Sequence, residues 1–192
     1  MRYHIALSLG VALMLVGSFM GYQRFREFSA RPVAIRTNIQ MARPEPIVLP
    51  STNGLVEGKP VRIVIPNVGI DVPVADGVYN PHTQTWTLSE TVAQYALITQ
   101  LANNKAGNTF IYGHNRPALF KPLLDVQPGA IAQVYTTNNH VFTYKLRATK
   151  VTNPRDDSLF YYKGSPILTV QTCSGLWFQN RSLFTFDFVA VQ

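Results

Sequence analysis

One cysteine, four histidines and the strand-like sequence around them hold most of the chemistry that this 192-residue chain offers. Cys173 is the single sulfur nucleophile, and a lone Cys excludes both an intramolecular disulfide framework and any Cys-cluster metal site. An unperturbed thiol ionises near ~8.5, so a cysteine that attacks carbonyl carbon at neutral pH needs an imidazole or a guanidinium beside it. His4 flanks an apolar run, His82 and His140 sit in turn-like contexts, and His114 closes a short strand candidate as Tyr112-Gly113-His114-Asn115. The four histidines fit no metal-ligand spacing, alone or with the acids, so no metal site is expected. Arg181 follows Cys173 by eight residues.

The elements that must position these groups read as short β-strands. Val, Ile and aromatic runs bounded by Pro, Gly and Asn occur at 61–66, 70–74, 109–112, 130–136, 141–151, 167–172 and 183–191, with a weaker one near 95–98. About eight strands without a helical layer predict a closed or nearly closed barrel. Residues 118–125 and 157–163 read as a helical turn or two each. In 183–191, Phe184, Phe186, Phe188 and Ala190 share one face, and the phenylalanines are assigned to the core. In 167–173, Leu168 and Val170 share the core-like face, while Thr169, Gln171 and Cys173 point the other way. If these two strands pair as a hairpin through the loop 174–180, the thiol of Cys173 and the guanidinium of Arg181 meet at one end. Trp86, Trp177 and Phe178 read first as packing residues, with a groove-wall role open to Trp177 and Phe178 beside Cys173.

With these residues in view, Phe110-Ile111-Tyr112-Gly113-His114-Asn115, then Thr169-Val170-Gln171-Thr172-Cys173, then Arg181, resembles the signature of the sortases, the cysteine transpeptidases of bacterial cell surfaces. The family pattern is Gly-His at a strand end, Thr-Leu-x-Thr-Cys, and an Arg about eight residues on; Val170 stands where Leu is usual. Residues 61–74 resemble the family's opening strands, and the likeness extends over 61–191. It implies an eight-stranded sortase-like β-barrel over residues 56–192. It also implies Cys173 as nucleophile, His114 as general acid and base, Arg181 as oxyanion or substrate stabiliser, and Thr172 and Trp177 as substrate contacts. The implied partners are secreted proteins with a C-terminal LPXTG-like sorting signal and an amine of a peptidoglycan precursor or pilin. No cofactor is implied, and no subclass is assigned. A papain-like enzyme would place Cys before His; the remaining alternative is a catalytically inactive, membrane-tethered barrel that binds a surface protein.

The start of the chain is of another kind. Residues 5–22 are an uncharged run of eighteen, long enough to cross a bilayer as a helix, with Arg2 before it and Arg24 and Arg26 after it. We read residues 1–26 as an uncleaved anchor that contacts membrane lipid, because a cleaved signal peptide has a shorter apolar core and a small-x-small site. Five prolines between residues 31 and 60 mark 27–55 as an extended, extracellular spacer. The positive-inside rule favours a cytoplasmic C-terminal side, against the extracellular domain that the resemblance implies. The net charge of +7 is concentrated early: residues 1–52 carry six Arg and two acids, and residues 53–192 eleven basic and eight acidic residues. Arginines beside an apolar run suit anionic lipid, and no basic stripe with interleaved aromatics follows, so no nucleic-acid partner is expected.

Overall fold

The computed structural model describes residues 54–192. Eight strands close into a barrel: β1 (Pro60–Ile65), β2 (Ile70–Gly77), β3 (Ala93–Ala96), β4 (Asn108–Tyr112), β5 (Ile131–Thr136), β6 (Val141–Thr152), β7 (Ile167–Ser174) and β8 (Asn180–Val191). Their order around the barrel is β6-β8-β7-β4-β3-β2-β1-β5, and β5 pairs back to β6. All neighbours run antiparallel except β2 with β3 and β4 with β7. Two short ribbons decorate it, one joining Glu57–Gly58 to Ala102–Asn103 and one joining Tyr79–Asn80 to Thr85–Trp86. The expected mainly β, eight-stranded barrel is therefore present. The anchor expected over 1–26 and nearly all of the spacer lie outside the described residues. Among the described residues no helix is long and apolar enough to cross a membrane.

Three local expectations shift. Within 118–125 only Lys121–Asp125 is helical, as a 3-10 turn with Pro122 near its start. Residues 157–163 hold a single hydrogen-bonded turn and no helix: the Phe160 N–H donates to the Asp157 carbonyl at 2.9 Å, and Gly164 and Pro166 follow. The last strand starts three residues earlier than its phenylalanines indicate, because Asn180, Arg181 and Ser182 find partners on β7.

Alternation along each strand sends one set of side chains inward. Ile63, Ile65, Val72, Val74, Tyr95, Ile111, Val134, Phe142, Tyr144, Leu168, Val170, Phe184 and Phe186 fill the interior, as expected for a barrel of this strand number. Phe184 and Phe186 are buried, whereas Phe188 is only partly buried beside Phe142 and Tyr144. Burying an aromatic side chain of this kind matters greatly, since truncating one to Ala typically costs about 3–5 kcal/mol. β4 is buried on both faces, as strands flanked by a parallel neighbour usually are, because a second apolar cluster lies outside it.

The long connection between β6 and β7 is fixed by one carboxylate. Asp156 accepts from Lys150 Nζ at 2.8 Å, Thr152 Oγ1 at 2.7 Å and Ser158 Oγ at 2.6 Å, and from the Ser158 N–H at 3.2 Å. These donors, the Lys150 ammonium foremost, hold its carboxyl well below the usual carboxylate range. A carboxyl depressed in the folded state stabilises fully above its unfolded value, near ~3.9, and loses that contribution as pH falls toward the folded value. Asp156→Asn is expected to lower unfolding free energy at pH 7 by about 1–2 kcal/mol. Urea titrations at pH 7 and pH 3 should show the gap between variant and parent shrinking at the lower pH.

Candidate active site

β4 and β7 run parallel with Tyr112 opposite Gln171, so the residues that follow each strand meet at the same end of the barrel. The Gly113 N–H donates to the Gln171 carbonyl at 3.1 Å, and Thr172 Oγ1 donates to the Gly113 carbonyl at 3.1 Å. Two residues on, Asn115 Nδ2 donates to the Cys173 carbonyl at 2.8 Å. His114 therefore stands between two residues that are each bonded to β7, level with Cys173. Gly113 makes this possible: a Cβ there would lie 3.0 Å from the buried ring of Phe120, tighter than side chains normally pack. The Phe120 N–H in turn donates to the His114 carbonyl at 3.3 Å.

Arg181 comes from the other side of the same strand. β7 and β8 are antiparallel, and their register pairs Cys173 with Arg181 and Ser174 with Asn180. Ser182 Oγ donates to Ser174 Oγ at 2.8 Å, closing the mouth of the hairpin. Residues 175–179 turn the chain, with Gly175 at φ 86° and Phe178 at φ 56°. Arg181 Nη1 donates to the carbonyls of Phe178 at 3.1 Å and Asn180 at 3.0 Å, so part of the guanidinium braces the loop. A guanidinium carries five N–H donors, and Nη2 and Nε have no acceptor among the described residues. Cys173 is partly exposed. The structure thus brings Cys173, His114 and Arg181 to one end of the barrel.

The two expected substrate contacts part company. Trp177 is 83% exposed on the loop beside Cys173, with Leu176 and Phe178 also exposed on either side of it. Thr172 is 1% exposed and its hydroxyl is engaged by the Gly113 carbonyl, so it joins β7 to β4 and presents no hydroxyl to a ligand. Its side chain falls on the inward alternation of β7, opposite to Cys173. Three residues not singled out from the sequence belong to the site. Asn115 ties the His114 segment to Cys173, and its position next to the Gly-His pair was the available signal. Glu90 Oε1 lies 3.7 Å from His114 Nε2, and Glu90 Oε2 lies 2.5 Å from Arg116 Nε. Nothing in the local sequence around Glu90 distinguishes it from any loop acid.

Comparison with known proteins agrees with this fold. The family model of the sortase domain matches residues 63–185. Sortase C-1 from Actinomyces oris is similar in structure at a TM-score of 0.57 and 24% identity, covering 68% of this chain and 75% of that one. Sortase A from Listeria monocytogenes gives 0.56 at 20% identity, covering 69% and 89%. Sortase A from Corynebacterium diphtheriae gives 0.58 at 19% identity, covering 70% and 62%. No curated protein sequence matches the chain.

The Thr172 hydroxyl provides a test of how the site is held together. Thr172→Val keeps the shape and leaves the buried Gly113 carbonyl without its donor, at an expected cost of about 1–3 kcal/mol in urea unfolding. Alkylation of Cys173 by iodoacetamide, followed in the same variant, should also change, because Gly113 leads directly into His114.

Proposed function

Because the chain belongs to the sortase family of cysteine transpeptidases, we propose that it cleaves an LPXTG-like sorting signal between Thr and Gly and joins the carboxyl side to an amine of the cell wall or of a pilin. The observation that carries this reading is the direct cross-strand pairing of Cys173 with Arg181, with His114 tied to the same strand through Asn115. An idle tethering barrel has no need of that convergence.

Cys173, as thiolate, attacks the Thr carbonyl carbon, and the carbon–sulfur bond forms as the carbonyl π pair moves to oxygen. Arg181 meets the charge that develops there through the part of its fork that the loop does not use. The carbonyl then re-forms, the Thr–Gly carbon–nitrogen bond breaks, and His114 gives its proton to the departing glycine amine. The incoming amine attacks the thioester, Cys173 leaves as thiolate, and the amine proton passes to His114, which restores the starting state. Trp177, exposed beside the thiol, is a wall for the substrate. No cofactor enters the cycle. Residues 5–22 hold the protein in the cell membrane as a single span, and the spacer 27–55 carries the catalytic barrel outside. The apolar run and the prolines support that placement, and a bias in flanking arginines weighs little when a long domain is translocated.

Incubation with an LPXTG-type peptide library and glycine or lysine amines, read by mass spectrometry, tests the reaction. The parent should form a new amide through Cys173, and Cys173→Ala should form none while still folding. Full activity of that variant would overturn the proposal. Removing a donor set that acts only in the transition state costs roughly 10² to 10³ in rate. Arg181→Ala should therefore lose kcat on that scale with KM little changed, and Arg181→Lys, which keeps the charge but not the planar fork, should regain only a small part. A change within about threefold would remove Arg181 from the mechanism. On intact cells, external protease should digest residues 60–192 along with known surface proteins; survival of the domain would reverse the proposed orientation.

A further inference from the structure

His114 has two ring nitrogens, and the structure gives one of them a charged partner. Glu90 Oε1 lies 3.7 Å from His114 Nε2, and the other oxygen of that carboxylate, Oε2, lies 2.5 Å from Arg116 Nε. Arg116 belongs to the segment that carries the histidine. Its N–H donates to the His114 carbonyl at 2.9 Å, and its own carbonyl accepts from the N–H groups of Leu119 at 2.9 Å and Lys121 at 3.1 Å. The side chain that clamps the carboxylate is thus rooted in the same backbone turn as the ring that the carboxylate meets.

Glu90 itself arrives from another part of the barrel. It stands three residues before β3, where the Thr91 N–H donates to Ser89 Oγ at 3.3 Å and bends the chain. β3 pairs antiparallel with β4, Gln94 opposite Tyr112, so the start of β3 and the end of β4 lie together. Ala93 is fully buried there, and its Cα lies 3.8 Å from where a Cβ on Gly113 would stand. The barrel therefore brings residue 90 beside residue 114 before any ion pair forms. The pair is open to water, the side chains of His114 and Glu90 being 30% and 59% exposed, and exposed pairs add little to stability. Its consequence lies in the setting of the ring. Contacts to a catalytic imidazole are often long until substrate closes over them, so 3.7 Å is within reach of a hydrogen bond.

We propose that Glu90 is the positioning residue of His114: its carboxylate, clamped by Arg116, accepts from Nε2–H and leaves Nδ1 as the atom through which the catalytic proton passes. The inference rests on the acid and base role proposed above for His114, and it names the nitrogen that works and the residue that selects it. An ionised carboxylate only accepts, so Nε2 keeps its hydrogen in both the neutral and the charged ring. As the Thr–Gly carbon–nitrogen bond breaks, the proton on Nδ1 goes to the departing amine. The electron pair left on Nδ1 then takes a proton from the incoming amine, and the Nε2 hydrogen stays in place throughout. Without Glu90 the ring is free to turn about its Cβ–Cγ bond, which exchanges the two nitrogens and mixes the tautomers.

Single-turnover acylation of the full-length protein by an LPXTG-type peptide, with KM measured for peptide and for amine, tests the assignment. Glu90→Ala should slow acylation by about tenfold or more, a part of the roughly 10² to 10⁴ that a positioned proton carrier contributes. Both KM values and the urea midpoint should stay near those of the parent. Glu90→Gln keeps an acceptor oxygen at the same reach and should recover most of the loss. Acylation by Glu90→Ala within about twofold of the parent overturns the proposal. A loss confined to KM for the amine also overturns it, because Glu90 would then be a seat for the incoming ammonium group. Long-range proton–nitrogen spectra of the imidazole rings, with His114→Gln identifying the signals, read the ring directly. The neutral ring should carry its hydrogen on Nε2 in the parent and be a mixture of tautomers in Glu90→Ala. A parent ring protonated at Nδ1, or the same tautomers in both proteins, would sink the assignment. If the parent transfers no LPXTG-type peptide, the proposed reaction falls, while the ring spectra still decide whether Glu90 holds Nε2.

Discussion

Everything at the site depends on β7 being shared between two neighbours of opposite sense. Its parallel pairing with β4 fixes where the chain emerging after Tyr112 must go, and its antiparallel pairing with β8 fixes which residue faces Cys173. A slip of one residue against either neighbour would send the side chains of that neighbour to the wrong face, because the period of a strand is two. The inward set of β7 prevents the slip: Leu168 and Val170 are fully buried, and shifting them outward would forfeit their burial, about 1.5–3 kcal/mol each. Chemistry on the outer face is thus held in register by hydrophobic packing on the inner one.

The same strand shows how a barrel wall is made to carry polar groups at depth. Thr172 and Gly113 exchange a hydrogen bond inside the β4–β7 junction, and the Gly113 N–H binds the Gln171 carbonyl, so the junction is satisfied where it supports His114. Further along the outer wall, Trp86 and Phe160 cover Phe110 and Tyr112. The β6–β7 connection is braced by Asp156 at its base and carries Phe160 further on.

Much of the barrel was legible from local pattern. The alternating phenylalanines of β8 announced their inward face, and the opposite phase of Cys173 placed it outside before any pairing was known. The common end of Cys173 and Arg181 followed from a short loop alone, since a hairpin leaves little freedom in register. What stayed hidden was long in sequence separation. Asn115 and Cys173 are 58 residues apart, and a parallel pairing needs a crossover whose course no period reveals. Thr172 was misplaced for a simpler reason: it stands next to a candidate nucleophile in sequence, yet adjacent strand residues face opposite ways. The hairpin that carries Trp86 has only two residues in each arm, too few to show any alternation.

The way Arg181 is held has a bearing on how such a protein can diversify. Its Nη1 is secured by main-chain carbonyls at 178 and 180, groups that every amino acid supplies. Leu176, Trp177 and Phe178 project outward from that frame and take no side-chain part in securing the guanidinium. Positions 176 and 177 can therefore vary while the cation keeps its place, so the rim and the guanidinium beneath it are free to drift separately across a lineage.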